Sequence, residues 1–122
     1  MAERIAIANP FAQVEVDLWG TVYRTKDIRR SESLQIAELE EKLADLPSGV
    51  EGEDKAVEYI GGILDCKLEG PIDDDGNLVK PQTKPSTLIK RKWKNDELSV
   101  RQLFNFLYQI GVAEEEATGR PI

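Results

Sequence analysis

VEVDLWGTVYRTKD, residues 14–27, decides the fold class. Val14, Val16 and Leu18 alternate with Glu15 and Asp17. That is the period of a strand with one face in a core and the other in water. Gly20 stands where the chain must reverse, and glycine enters positive φ without steric cost. Thr21-Val22-Tyr23-Arg24-Thr25 then supplies the β-branched and aromatic residues of a return strand. A β-hairpin over residues 13–27 follows. Trp19, at its turn, is either an exposed anchor or a ring folded onto the hairpin face, and core packing is the commoner fate of so large a side chain.

Downstream the period changes from two to that of a helix. Ile36, Leu39, Leu43 and Leu46 make one apolar stripe, so residues 32–46 read as a helix capped by Ser31 or Ser33. Glu38 and Lys42 stand one turn apart in the favourable order, and Pro47 and Gly49 end the segment. The stripe has coiled-coil spacing, but its length points to packing within the domain. Val57, Ile60, Leu64 and Leu68 line a second helix over residues 53–68, widened by Tyr59, Ile63 and Cys66. Gly61-Gly62 interrupts it, either for close helix packing or for a bend, since each glycine costs about 1 kcal/mol against alanine in a helix interior.

Residues 70–87 carry three prolines, two glycines and the run Asp73-Asp74-Asp75-Gly76-Asn77, the composition of a loop with room for a small hairpin at Asp75-Gly76-Asn77. Residues 87–95 continue that loop or form a helical turn. Ser99 and Gln102 are spaced as a capping box, with Leu98 and Leu103 as its hydrophobic staple. They open a helix whose buried face is Val100, Leu103, Phe104, Leu107 and Ile110, with Gly111 as the residue past its end.

The expected fold is α+β: an N-terminal β-hairpin followed by about three α-helices, mostly helical, in one domain over residues 1–122. Residues 1–12 form an arm in which Ile5 and Ile7 alternate before a turn at Asn9-Pro10. The hairpin takes 13–27, two helices take 32–68, a Pro/Gly/basic loop takes 70–95, the last helix takes 96–111 and a polar tail takes 112–122. The tail is expected to fray unless a partner orders it.

Composition limits the chemistry. The 122 residues include no histidine and one cysteine, with a net charge of −7 and 40% hydrophobic residues. Residues 1–79 hold 18 acidic and 8 basic side chains, a net of −10. From Lys80 to Lys94 there are six basic residues (Lys80, Lys84, Lys90, Arg91, Lys92, Lys94) and no acid. An acidic body interrupted by one basic stretch disfavours general attraction to nucleic acid or to an anionic membrane. Trp93 within the basic stretch invites base stacking, but the acidic remainder repels the same polyanion and no nucleic-acid module is present. The stretch is better suited to the acidic body or to an acidic partner surface. Cys66 has no disulfide partner in the chain, which fits a reducing compartment, and no histidine to activate it as a nucleophile. With Gly76 aligned to the invariant glycine of a calcium loop, Pro71 and Gln82 fall on the first and last ligand positions, and neither can serve there. No apolar run approaches the roughly 20 residues of a membrane span, and the N-terminus does not read as a secretory signal. The chain reads as non-enzymatic, with no cofactor, no metal and no catalytic residues, acting through surfaces in the cytoplasm. Trp93, Leu103, Phe106 and Tyr108 are the candidate protein-interaction residues, on the aromatic and apolar character of interface anchors.

The order of parts is VEVDLWGTVYRTKDI, then QIAELEEKLADL, KAVEYIGGILDCKLEG and STLIKRKWKNDELSVRQLFNFLYQI. It resembles the tail assembly chaperones of long-tailed (siphovirus-type) bacteriophages over residues 13–110. The most suggestive local pieces are Ile89, Trp93, Leu98, Leu103 and Phe106. The resemblance implies a cofactor-free protein of the host cytoplasm. It would bind the tape-measure protein and help recruit tail-tube subunits, with self-association and a longer frameshifted form left open. The alternative from another class is a structural part of a phage particle: a head–tail connector, a tail terminator or a minor virion protein. A third reading is a host-directed adaptor or inhibitor whose acidic surface mimics nucleic acid.

Overall fold

A computed structural model of the chain describes residues 13–118. The first strand, β1 (Glu15–Leu18), pairs antiparallel with β2 (Thr21–Thr25), Leu18 opposite Thr21 and Glu15 opposite Arg24. Trp19 and Gly20 between them have φ of 53° and 88°. Two positive φ values define the tight turn whose twist matches that of the strands it joins. The Asp17 carboxylate fastens the turn by accepting the Gly20 N–H at 2.7 Å. The hairpin is therefore where the alternation puts it. The arm expected over residues 1–12 lies outside the described residues.

Helix α1 (Arg30–Ala44) follows. Its cap is Arg29, not Ser31 or Ser33: the Glu32 carboxylate reaches back to the Arg29 N–H at 3.2 Å. Lys26 holds Glu32 in place there through an ion pair of 2.6 Å. Helix α2 (Val50–Lys67) starts three residues before the expected position, directly after Gly49. It runs into β3 (Leu68–Glu69), which joins the far side of β2 and gives the sheet order β1-β2-β3. A two-residue strand has too few side chains to show a period, and Leu68 read instead as the end of a helical stripe.

The loop expected over residues 70–95 holds a helix, and the helical turn left open at residues 87–95 forms and is longer. Helix α3 (Pro85–Lys94) begins at a proline, whose fixed φ suits a first helical position. Its free N–H groups are met from another element: the Asp65 carboxylate accepts the Ser86 N–H at 2.9 Å and the Ser86 hydroxyl at 2.6 Å. A cap supplied by α2 leaves no local spacing to read. The remaining loop is closed on itself. Asp73 accepts the N–H groups of Asp75 and Asn77, each at 2.9 Å, and Ile72 bridges Leu78, so the small hairpin forms.

Helix α4 (Val100–Thr118) also departs from expectation, since Gly111 lies inside it rather than past its end. Tertiary contacts flank the glycine: Ile110, before it, is buried, and Ala113, after it, lines a groove shared with β1. The glycine costs about 1 kcal/mol in helix propensity, and the helix continues through it. Most of the segment expected as a frayed tail is therefore helix.

The core gathers around α2. Ile60, Leu64, Tyr23, Ile89 and Leu103 are all fully buried, bringing side chains from α2, β2, α3 and α4 together. The α1 stripe closes the other side, with Ile36 packed near Ile63 and Cys66. The architecture is α+β, with a three-stranded antiparallel sheet and four helices among the described residues. Among the described residues no helix is long and apolar enough to cross a membrane.

Candidate protein-interaction surface

The sequence places a capping box at the start of α4, and it forms as spaced. The Gln102 side chain accepts the Ser99 N–H at 2.8 Å, and the Ser99 hydroxyl accepts the Gln102 N–H at 3.2 Å. Leu98 and Leu103 are both buried beneath it. With that end fixed, the rotation of α4 about its axis is fixed too. Leu103 and Ile110 point into the core, with Val100 and Leu107 packed against it.

The four expected interaction residues separate accordingly. Leu103 is fully buried and is not available to a partner in this fold. Trp93 is half-buried against the core, and its indole N–H donates to Asp54 at 2.9 Å, tying α3 to the start of α2. Phe106 is half-buried, and its ring meets Trp19 edge-on at 5.6 Å between centroids. Tyr108 is 71% exposed. Phe104, expected in the buried face, is 43% exposed and precedes Tyr108 by one helical turn. The contact stripe of α4 is narrower than its apolar content suggests, so Phe104, about 100° around the helix from Leu103, falls outside it. The i, i+4 spacing of the two rings was the available signal.

Trp19 lies at the hairpin turn with Lys92 over its ring at 5.6 Å, and Lys92 also pairs with Glu97 at 2.9 Å. The other members of the basic stretch, Lys80, Lys84, Lys90, Arg91 and Lys94, form no ion pair among the described residues. An open groove of about 250 Å³ runs between β1 and α4. Val16, Phe106, Ile110 and Ala113 line it, and Glu15 and Asp17 stand at its strand side.

A second cleft, of about 410 Å³, lies where α2 meets the sheet and the start of α3, and Lys26, Glu32, Asp65, Cys66 and Lys84 line it. Burial pushes the Cys66 thiol up from its ordinary value, and the nearby Glu32 and Asp65 charges push the same way against Lys26. The thiol is therefore protonated at neutral pH, which is the unreactive form. Glu32 is held below the ordinary carboxylate range by its hydrogen bond from Lys26 and by the Arg29 N–H. Tyr23 is raised by burial and by Asp65, and its hydroxyl donates to the Thr83 carbonyl at 2.7 Å. It pins the segment before α3 to the sheet. Asp73 spends its carboxylate on its own loop, and Arg24 bridges Glu69 and the Gly76 carbonyl. Among the described residues no group of three or more potential ligands is arranged to hold a metal ion.

No protein-family model, curated protein or solved structure matches this chain. The functional reading therefore rests on the residues themselves.

Proposed function

We propose that the protein is a non-enzymatic tail assembly chaperone of long-tailed bacteriophages, which acts in the host cytoplasm by binding the tape-measure protein and helping to recruit tail-tube subunits. One observation carries the reading. Phe104 and Tyr108 stand one turn apart on the outer face of α4, 43% and 71% exposed, on a helix whose opposite side is anchored in the core. Two aromatic rings held on a rigid helix lose little conformational freedom on binding and offer large apolar area. That is the surface needed to cover an apolar helical partner before it assembles. The order of hairpin and helices quoted above supports the same family.

The test is co-expression with the tape-measure protein and capture through a tag on this chain. The pair should co-purify, and Phe104→Ala with Tyr108→Ala should abolish capture while the circular dichroism spectrum is unchanged. Retained capture by the folded double variant refutes the assignment. Mass spectrometry of purified virions separates the alternative class, since a chaperone is absent and a structural part is present at fixed stoichiometry.

A further inference from the structure

The groove between β1 and α4 has a different character from the aromatic face of α4. In antiparallel pairing, hydrogen-bonded and non-hydrogen-bonded residue pairs alternate. Leu18 and Thr21 close the two-residue turn, and the Thr25 N–H donates to the Val14 carbonyl at 2.9 Å. Val14, Val16 and Leu18 therefore use their backbone groups on β2. Glu15 and Asp17 direct theirs the other way, to the outer edge of the sheet. Among the described residues nothing pairs with that edge, and β1 is the end strand of the sheet.

The side chains along the edge alternate in chemistry as well. Val16 faces the groove above Phe106, Ile110 and Ala113. Glu15 and Asp17 are exposed, and among the described residues no cationic side chain lines the groove. Arg24, opposite Glu15 in the sheet, gives its guanidinium to Glu69 and to the Gly76 carbonyl. At the turn end, the Trp19–Phe106 contact closes the groove.

We infer that the β1 edge and the α4 groove bind an extended segment of another chain whose residues alternate between apolar and basic, added to the sheet as a fourth strand beside β1. Backbone hydrogen bonds to Glu15 and Asp17 supply the pairing. Apolar side chains of the segment enter the groove over Ile110 and Ala113. Basic side chains fall directly opposite Glu15 and Asp17, where opposite charges stabilise a cross-strand pair. The same rule disfavours a second copy of this chain: antiparallel β1–β1 pairing would oppose carboxylates with carboxylates. It also gives the acidic edge its selectivity, because it repels its own kind while accepting a cationic strand. The inference uses neither Phe104 nor Tyr108 and stands apart from the chaperone reading.

The probe is a labelled synthetic peptide of alternating valine and lysine, compared with its valine–glutamate counterpart by fluorescence anisotropy on the full chain. The lysine peptide should bind roughly tenfold tighter or more, from two cross-strand charge pairs of opposite rather than like sign. Added salt should narrow the gap. Hydrogen exchange at the Glu15 and Asp17 amides should slow on binding, and Glu15→Lys should shift the preference toward the glutamate peptide. Ala113→Phe, which fills the groove while leaving the charges in place, should weaken both peptides. Equal affinity for the two peptides, no binding of either, or binding without protection of those amides overturns the inference. Binding that appears only after deletion of residues 1–12, in which Ile5 and Ile7 alternate after Arg4, assigns the edge to this chain's own leading segment and overturns it too. Loss of tape-measure capture by Phe104→Ala with Tyr108→Ala, with peptide binding intact, would separate the two surfaces.

Discussion

Helices α2 and α4 are nearly the same length, 18 and 19 residues, and both are rich in apolar side chains, yet the fold uses them oppositely. Eight residues of α2 are buried, among them Gly52, Gly61 and Cys66, and α1, α3 and α4 surround it. On α4 Leu103 and Ile110 are buried, and two aromatic rings, Phe104 and Tyr108, are exposed. The difference lies in position and not in composition. A helix enclosed on several sides spends its apolar surface on stability, whereas a helix at the margin spends one stripe on stability and keeps the rest available. Exposed apolar residues that lie together mark candidate binding surfaces, so function is to be sought on the outer face of α4.

The largest expected effect tests the enclosed helix. Ile60→Ala should cost about 2–5 kcal/mol, the range for truncating a fully buried aliphatic side chain, read from the midpoint of a urea transition with an unchanged slope. A loss below about 1 kcal/mol would mean that α2 is not the centre of the core and would break the comparison.

The glycine pair sharpens it further. A Cβ added at Gly61 would lie 3.0 Å from the Ser86 Cβ and 3.3 Å from its Cα, on the first turn of α3, which the Asp65 cap holds in place. At Gly62 the nearest atom is a Leu39 methyl at 3.0 Å, the free end of a side chain that can rotate away. Overpacking costs about 1–3 kcal/mol, and alanine returns about 1 kcal/mol of helix propensity. Gly61→Ala should therefore lose roughly 1 kcal/mol, while Gly62→Ala should be neutral or slightly stabilising. Thermal unfolding of the two variants side by side decides it, and equal effects would contradict the packing of α3 on Gly61.

On the marginal helix, stability and binding should come apart. Phe104→Ala and Tyr108→Ala should each change stability by no more than about 0.5 kcal/mol, in the same urea experiment, and yet remove partner capture. A loss of 2 kcal/mol or more from Tyr108→Ala, on the scale of a core truncation, would place that ring in the core and end its role as an anchor.

The smallest effect concerns the α1 cap. The folded Glu32 carboxyl titrates below its ordinary value of 4.5, so its contribution to stability is present above that pH. It is lost as pH falls through the lower folded value. Glu32→Gln should be less stable than the parent at neutral pH, and the two should converge in acid. A constant gap across that range would show that the Lys26 and Arg29 contacts do not hold the charged form.

Periodic stretches were legible, and stretches whose partners lie far along the chain were not. The alternation of Val14, Val16 and Leu18 announced β1, because a half-buried strand writes its burial into every second residue. Ser99 and Gln102 announced the start of α4, because both halves of that cap lie within one turn. Helix α3 was legible only as a helical turn left open at residues 87–95, and its start was not, since its cap belongs to Asp65, 21 residues away. The end of α4 was misread, since Gly111 is a stop signal only where no tertiary contact carries the helix onward. Among the expected interaction residues, the exposure of Tyr108, the burial of Leu103 and the hydrogen bond of Trp93 to Asp54 followed from rotations and distances that no linear spacing contains.

By itself the sequence determined the α+β class, the hairpin turn and the apolar stripes of three helices, because those depend on interactions reaching only a few residues along the backbone. Tertiary structure alone decided which apolar residues would be covered. It closed α2 on several sides, set Gly61 and Gly62 against different neighbours, and left the β1 edge and the outer face of α4 uncovered. Burial belongs to the arrangement of elements in space, and side chains with the same local pattern meet opposite fates when one helix is surrounded and the other lies at the rim.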